Sequence, residues 1–196
     1  GPSQMGLEDI AMFRALTGSY VFYPSDAVSS ARLTELAVKL KGIKYIRTSR
    51  PKTPVIYSNN EKFNAGDFKV LKKSESDDVV IVGAGVTVLE ALKAYDELLK
   101  AGINACVVDC YCIKPFNTEK FVDLARECGS KVVTVEDHYL EGGIGEMIAT
   151  SVSIYGIKIK CLAVNKMPHS GEPEQLMHAY GINSSHIAKA AEEIIN

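Results

Sequence analysis

Four short runs of this sequence hold the side chains best able to do chemistry. Arg47-Thr48-Ser49-Arg50-Pro51 sets two guanidinium groups at the end of a β-rich run. A guanidinium is always charged and grips phosphate or carboxylate through two parallel hydrogen bonds. Pro51 stiffens the turn and holds Arg50 extended. These residues read equally as an anion site or as a surface salt bridge. Glu136-Asp137-His138-Tyr139 brings two carboxylates beside an imidazole. His138 next to Asp137 is able to shuttle protons near neutral pH, and the same polar cluster suits an interface. Gly142-Gly143-Ile144-Gly145 then opens a helix, where free N–H groups attract anions. A close approach of that helix to a sheet accounts for the glycines as well. Gly83-Ala84-Gly85 begins as a dinucleotide-binding loop does, and Asp109 stands roughly where the acid for a ribose hydroxyl would. Val88 occupies the place of the third glycine, which points instead to a tight strand-to-helix turn.

The five cysteines are Cys106, Cys110, Cys112, Cys128 and Cys161. An odd number in apolar settings argues against a disulfide framework. Cys110-Tyr111-Cys112 resembles half of a metal site, but no second Cys or His pair follows at ligand spacing. The cysteines therefore read as small buried hydrophobes in a reducing compartment. No Ser-His-Asp order and no P-loop is present, so these residues alone name no reaction.

The elements that must position these groups alternate between the two periodicities. Leu7 to Arg14 has helical spacing, Tyr20 to Tyr23 is a strand stopped by Pro24, and Ser25 or Asp26 caps a helix over 27–41. Ile43 to Thr48 is the next strand. Ser58-Asn59-Asn60 and Asn64-Ala65-Gly66-Asp67 then interrupt the pattern and mark a boundary. A fresh series follows: a strand at 79–82, a helix over 88–101 capped by Thr87, and a strand at 105–109. Next come a helix over 118–128, a strand at 131–136, a helix from the 142–145 glycines to about 153, a strand at 157–164 and a closing helix to 196. This predicts an α/β chain with a mostly parallel sheet: a three-layer sandwich over 68–196, a partial α/β domain over 1–57 and a linker at 58–67.

Hydrophobic residues make up 46% of the 196 and charged residues 23%, enough for a sizeable core. A formal net charge of -2 gives no electrostatic reason to expect nucleic acid or an anionic membrane as partner. No apolar run reaches the length needed to span a bilayer, and Gly1-Pro2-Ser3-Gln4 lacks the features of a secretory signal.

Taken together, the motifs resemble the transketolase family. The stretches that carry the resemblance are Gly1 to Met5 with Leu7-Glu8-Asp9 and Phe13-Arg14, then Val21-Phe22-Tyr23-Pro24-Ser25-Asp26, and Tyr45 to Pro51. Val82 to Thr87, Val135 to Tyr139 with Gly142 to Gly145, and Tyr180-Gly181-Ile182 continue it over nearly the whole chain. Gln4 is similar to the animal members. The resemblance implies the end of the pyrimidine-binding domain followed by the complete C-terminal domain of a cytoplasmic, homodimeric enzyme of the pentose phosphate pathway. That enzyme moves a two-carbon ketol unit from a ketose phosphate to an aldose phosphate, using thiamine diphosphate and magnesium. It implies that Gln4 faces the cofactor and that Arg50 grips the sugar phosphate. It places the metal-diphosphate domain and the pyrimidine-activating glutamate outside this sequence, so no catalytic or metal-binding residue is expected here. The chain alone is then expected to be inactive. A stand-alone non-catalytic subunit that pairs with a separate N-terminal chain is the alternative.

Overall fold

A computed structural model describes residues 6–50 and 52–196. Two sheets carry the fold. The first holds β1 (Tyr20–Phe22), β2 (Lys44–Ile46) and β6 (Cys112–Lys114) in the order β2-β1-β6. The second holds β3 (Lys69–Lys72), β4 (Val79–Gly83), β5 (Ala105–Asp109), β7 (Lys131–Tyr139) and β8 (Lys158–Val164) in the order β3-β5-β4-β7-β8. Pairings β1–β2, β4–β5, β4–β7 and β7–β8 are parallel, and β3–β5 and β1–β6 are antiparallel.

Period-2 alternation explains the three layers of the larger sheet. Val80 and Val82 of β4 face one side, where they meet α4 (Thr118–Glu127) and α5 (Ile144–Val152) through Phe121, Ala125, Ile144 and Ile148. Val79 and Ile81 face the other side, against α3 (Val86–Lys100) and α7 (Ser184–Ile195) through Ala91, Leu98, Ile187 and Ala191. A strand covered on both faces has to be apolar throughout, and all five residues of β4 are buried. The smaller sheet is covered by α2 (Ala27–Lys39), whose Val28 and Leu33 pack with Phe22, Tyr111 and Cys112. α1 (Asp9–Ala15) sends Ile10 into the same cluster as Val80 and Val82, so the two sheets share apolar contacts.

The expected helices and strands are present, with local corrections. Asp26 caps α2: its Oδ1 accepts from Ser29 N–H at 2.7 Å, and the Ser29 hydroxyl accepts from Asp26 N–H at 3.0 Å. Thr87 does not cap α3 as expected. The helix starts at Val86 after Gly85, and the Thr87 hydroxyl turns back to accept from Ala84 N–H at 3.1 Å. β7 runs three residues beyond its expected end, so Glu136, Asp137, His138 and Tyr139 are strand residues. Sequence reasoning missed β3, β6 and the short helix α6 (Pro173–Ala179). β3 is only Lys-Val-Leu-Lys, an edge strand with charge at both ends and no alternation of residue type to signal it, and β6 is too short to show a period.

Candidate functional site

The larger sheet reverses its winding between β4 and β7, and in a doubly wound fold the crevice outside the carboxyl ends at such a point receives ligands. Here the chain fills it. Gly85 has φ +57°, and a Cβ added there would fall inside the Tyr23 ring. The Tyr23 hydroxyl donates to Asp137 Oδ2 at 2.9 Å, and the Arg47 guanidinium lies 4.8 Å from the ring centroid. The tight-turn reading of Gly83-Ala84-Gly85 therefore fits the structure, and its second glycine makes room for an aromatic ring.

Arg47 closes this plug. It donates to the Asp137 carbonyl at 2.9 Å and pairs with Asp137 Oδ1 at 3.3 Å and Asp9 Oδ2 at 3.3 Å. Burial opposes its charge, but Asp137, Tyr23 and Asp9 more than offset that and raise its pKa. Of the two guanidiniums in the 47–50 run, Arg47 is thus committed to binding the two regions together.

The Glu136–Tyr139 run is likewise engaged. His138 is fully buried; Nδ1 faces the Tyr139 carbonyl at 2.5 Å, and Nε2 accepts from Ala11 N–H at 3.3 Å. Burial lowers its pKa and keeps it neutral. With both ring nitrogens on backbone partners, His138 pins α1 to β7. Glu136 Oε2 accepts from Ile144 N–H at 2.6 Å and Oε1 from Gly145 N–H at 2.9 Å. A Cβ on Gly143 would collide with this carboxylate. The helix N-terminus that looked free to take an anion is therefore occupied by the protein's own acid. Burial pushes the Glu136 pKa up to about 8. Arg14 donates to the Gly143 carbonyl at 2.9 Å from the side of α1.

Asp109 ends β5 with no exposure, and its Oδ2 accepts from Ser25 Oγ at 2.9 Å and Tyr57 Oη at 2.6 Å. Its Oδ1 has no partner among the described residues. Burial lifts its pKa to about 7. These contacts exclude the ribose-binding role that its spacing suggested.

Arg50 stands apart. It is exposed, and among the described residues it takes part in none of the ion pairs. Beside it, Pro24, Ser25, Ser30, Ser49 and Lys52 line an open cleft of about 310 Å³ at the N-terminus of α2. Gln4 and Pro51 lie outside the described residues. Sequence reasoning missed Asp9 and Tyr23 as parts of the joint. An acid in a first helical turn carries no signal of Tyr45 and Arg47 on a later strand, nor a tyrosine in an apolar run of Asp137 over a hundred residues away.

Two family models match the chain: the transketolase pyrimidine-binding domain over residues 1–55 and the transketolase C-terminal domain over residues 68–187. The chain is 49% identical to transketolase of Homo sapiens over 196 residues, which is 100% of the chain and 32% of that protein. It is 47% identical to transketolase-like protein 1 of Bos taurus, over 100% of the chain and 33% of that protein. A solved structure described as a split gene transketolase, inactive beta4 tetramer, superposes with a TM-score of 0.94 at 33% identity. That match covers 100% of this chain and 64% of that one. The chain thus spans about a third of the length of the curated relatives it matches. No helix among the described residues is long and apolar enough to cross a membrane.

Proposed function

We propose, because this chain belongs to the transketolase family, that it supplies the C-terminal portion of a transketolase and is catalytically incomplete alone. The parent reaction is transfer of a two-carbon ketol unit between sugar phosphates on thiamine diphosphate with magnesium, in a cytoplasmic homodimer of the pentose phosphate pathway. The observation that carries this reading is the ordered match of both family domains along one chain. We divide the chain into residues 1–57 of the pyrimidine-binding domain, a linker at 58–67 and the C-terminal domain at 68–196.

The described residues do not fit a diphosphate-magnesium site, which needs oxygen ligands around a hard cation. Asp109, Asp137 and Glu136 already serve the joint, and among the described residues the grouping of metal-ligand types, Asp77 with Cys106 and Cys128, is rich in sulfur. No step of the reaction is therefore assigned to them. Calorimetry of the purified chain should give no magnesium-dependent thiamine diphosphate binding, and xylulose 5-phosphate should yield no ketol transfer. Tight cofactor binding would overturn this reading.

Within the assembled enzyme, Gln4 faces the cofactor and Arg50 grips the substrate phosphate. Exposure, the lack of an ion-pair partner among the described residues, and the neighbouring cleft support the role of Arg50. Arg50→Ala in the full enzyme should cost about 2–4 kcal/mol in kcat/KM for phosphorylated sugars. It should cost little for hydroxypyruvate, which has no phosphate to hold. Equal losses for both substrates would remove Arg50 from the site.

The relative described as an inactive tetramer of a split gene product favours a second reading, a non-catalytic subunit that joins a separate N-terminal chain. Mixing this chain with such a partner would then restore ketol transfer without covalent linkage.

A further inference from the structure

The end of the larger sheet opposite the joint holds a cluster that the proposed function does not use. Asp77 lies just before β4, Cys106 is the second residue of β5, and Cys128 ends α4. All three are buried, and one ligand atom from each lies within 4.8 Å of the other two. Two sulfurs each about 2.3 Å from one tetrahedral ion sit about 3.8 Å apart, a separation that falls within this bound.

We propose that Asp77, Cys106 and Cys128 form a metal site for a borderline-soft divalent ion of the zinc type, with two thiolates and one carboxylate as protein ligands. The donor set argues for this class. Thiolates select zinc or copper(I) over magnesium and calcium, and a carboxylate oxygen beside two sulfurs suits zinc, with water in the fourth position. Binding replaces two thiol protons by the ion and releases them to solvent, with no change of oxidation state.

The surroundings are built as a metal site requires. Asp77 Oδ1 accepts from the Ser74 hydroxyl at 2.6 Å, and the Ser74 N–H spans both carboxylate oxygens at 3.2 and 3.1 Å. Oδ2 points to Cys128 Sγ at 3.8 Å. An outer hydrogen-bond partner of this kind orients a ligating carboxylate. Gly129, at φ +73°, lets the end of α4 approach: a Cβ there would lie 2.5 Å from the Asp78 carbonyl. Asp78 is itself tied to Asn104 by N–H···O bonds of 2.9 and 3.2 Å in both directions. The three ligand segments are thus held together without an ion. Residues 72–76 are exposed and give access, and the Lys73–Glu127 ion pair spans the same segments at the surface. The proposal is independent of the transketolase reading, since it rests on residues at the far end of the sheet.

The test uses the purified chain, reduced and stripped by a chelator, then titrated with Co²⁺ and Zn²⁺. We expect one Co²⁺ per chain, with the visible bands of a tetrahedral site and a thiolate charge-transfer band, displaced by Zn²⁺ with release of about two protons. Ser74→Ala, an exposed change, should weaken Zn²⁺ binding by about 10- to 100-fold. Cys128→Ser should abolish the charge-transfer band, and Cys161→Ser should leave it intact. Should Cys128→Ser fail to fold, alkylation of the unaltered chain in mild denaturant decides: Zn²⁺ should slow Cys106 and Cys128 and spare Cys112. A spectrum without sulfur ligation, one that survives Cys128→Ser, or equal protection of all the thiols would overturn the proposal.

Discussion

β4 and β5 of the five-stranded sheet expose no residue, whereas β2, at the edge of the three-stranded sheet, is exposed at Lys44 and half-buried at Tyr45 and Ile46. The larger sheet has a pair of helices on each face, all four from the part of the chain that carries its own strands, with Ile10 and Tyr23 adding to its cover from outside. The smaller one borrows. β6 comes from the C-terminal half of the chain, Tyr23 plugs the crevice of the other sheet, and Arg47 reaches Asp137 across the joint. Polar residues at the rim of an α/β sheet are thus poor guides to ligand binding when another part of the chain lies against that rim. Glu136, Asp137, His138 and Asp109 all look catalytic by type, and all are consumed in assembly.

The contrast should appear first in truncations to alanine. Ile81 is fully buried in β4, and Ile81→Ala should cost about 2–5 kcal/mol in urea unfolding. Ile46→Ala, on the half-buried edge, should cost about 1 kcal/mol or less. Equal losses would mean that the small sheet is as tightly packed as the large one.

The plug is broken more selectively at Gly85. Gly85→Ala drives a methyl into the Tyr23 ring and adds backbone strain, together about 2–4 kcal/mol. Gly102 has φ +78° but nothing within 4 Å of an added Cβ, so Gly102→Ala isolates the backbone part alone. Hydrogen exchange in the Gly85→Ala protein should speed up in β1 and β2 before β4 and β5. Uniform acceleration would show that the two sheets open as one unit.

Sequence patterning made most of the larger sheet legible because its apolar runs are continuous and its helices are punctuated by glycine. Gly102 and Gly129 both take positive φ near the ends of the helices they were read to close. The smaller sheet was legible only in part. β1 and β2 are apolar enough to show, but β6 has three residues and its partner lies about ninety positions earlier. The motif residues were visible as chemistry and not as geometry. Arg47 and Arg50 sit three apart in one polar run, yet one is locked between two acids and the other is exposed. Asp77, Cys106 and Cys128 follow no ligand spacing at all, because it is the order of the strands that brings them together.

The joint also carries a pH signature. Asp109 sits where β5 meets the Ser25 turn and Tyr57, with Oδ1 buried and unpartnered among the described residues. Its pKa rises from 3.8 to about 7 because burial penalises the charged form more than the two hydroxyl donors favour it. Between those values the folded state binds more protons than the unfolded one, so stability falls as pH rises through that window. Glu136, lifted from 4.5 to about 8, adds to the same slope. Asp109→Asn keeps an acceptor for Ser25 and Tyr57 and removes the charge, while its amide N–H₂ takes the place of the unpartnered oxygen. At pH 5 the variant should be slightly less stable than the parent, by about 1 kcal/mol for the buried donors. At pH 8 the parent carries the cost of a buried carboxylate and the variant does not. The difference should therefore swing by about 2 kcal/mol in favour of the variant, and the slope that remains should combine Glu136 with the opposite contribution of buried His138, whose lowered pKa makes stability rise with pH. Urea unfolding of both proteins at pH 5, 6, 7 and 8 measures this directly. A parent-to-variant difference that stays constant across those four points would mean that Asp109 does not titrate in the window, and that the joint holds its carboxylate charged throughout.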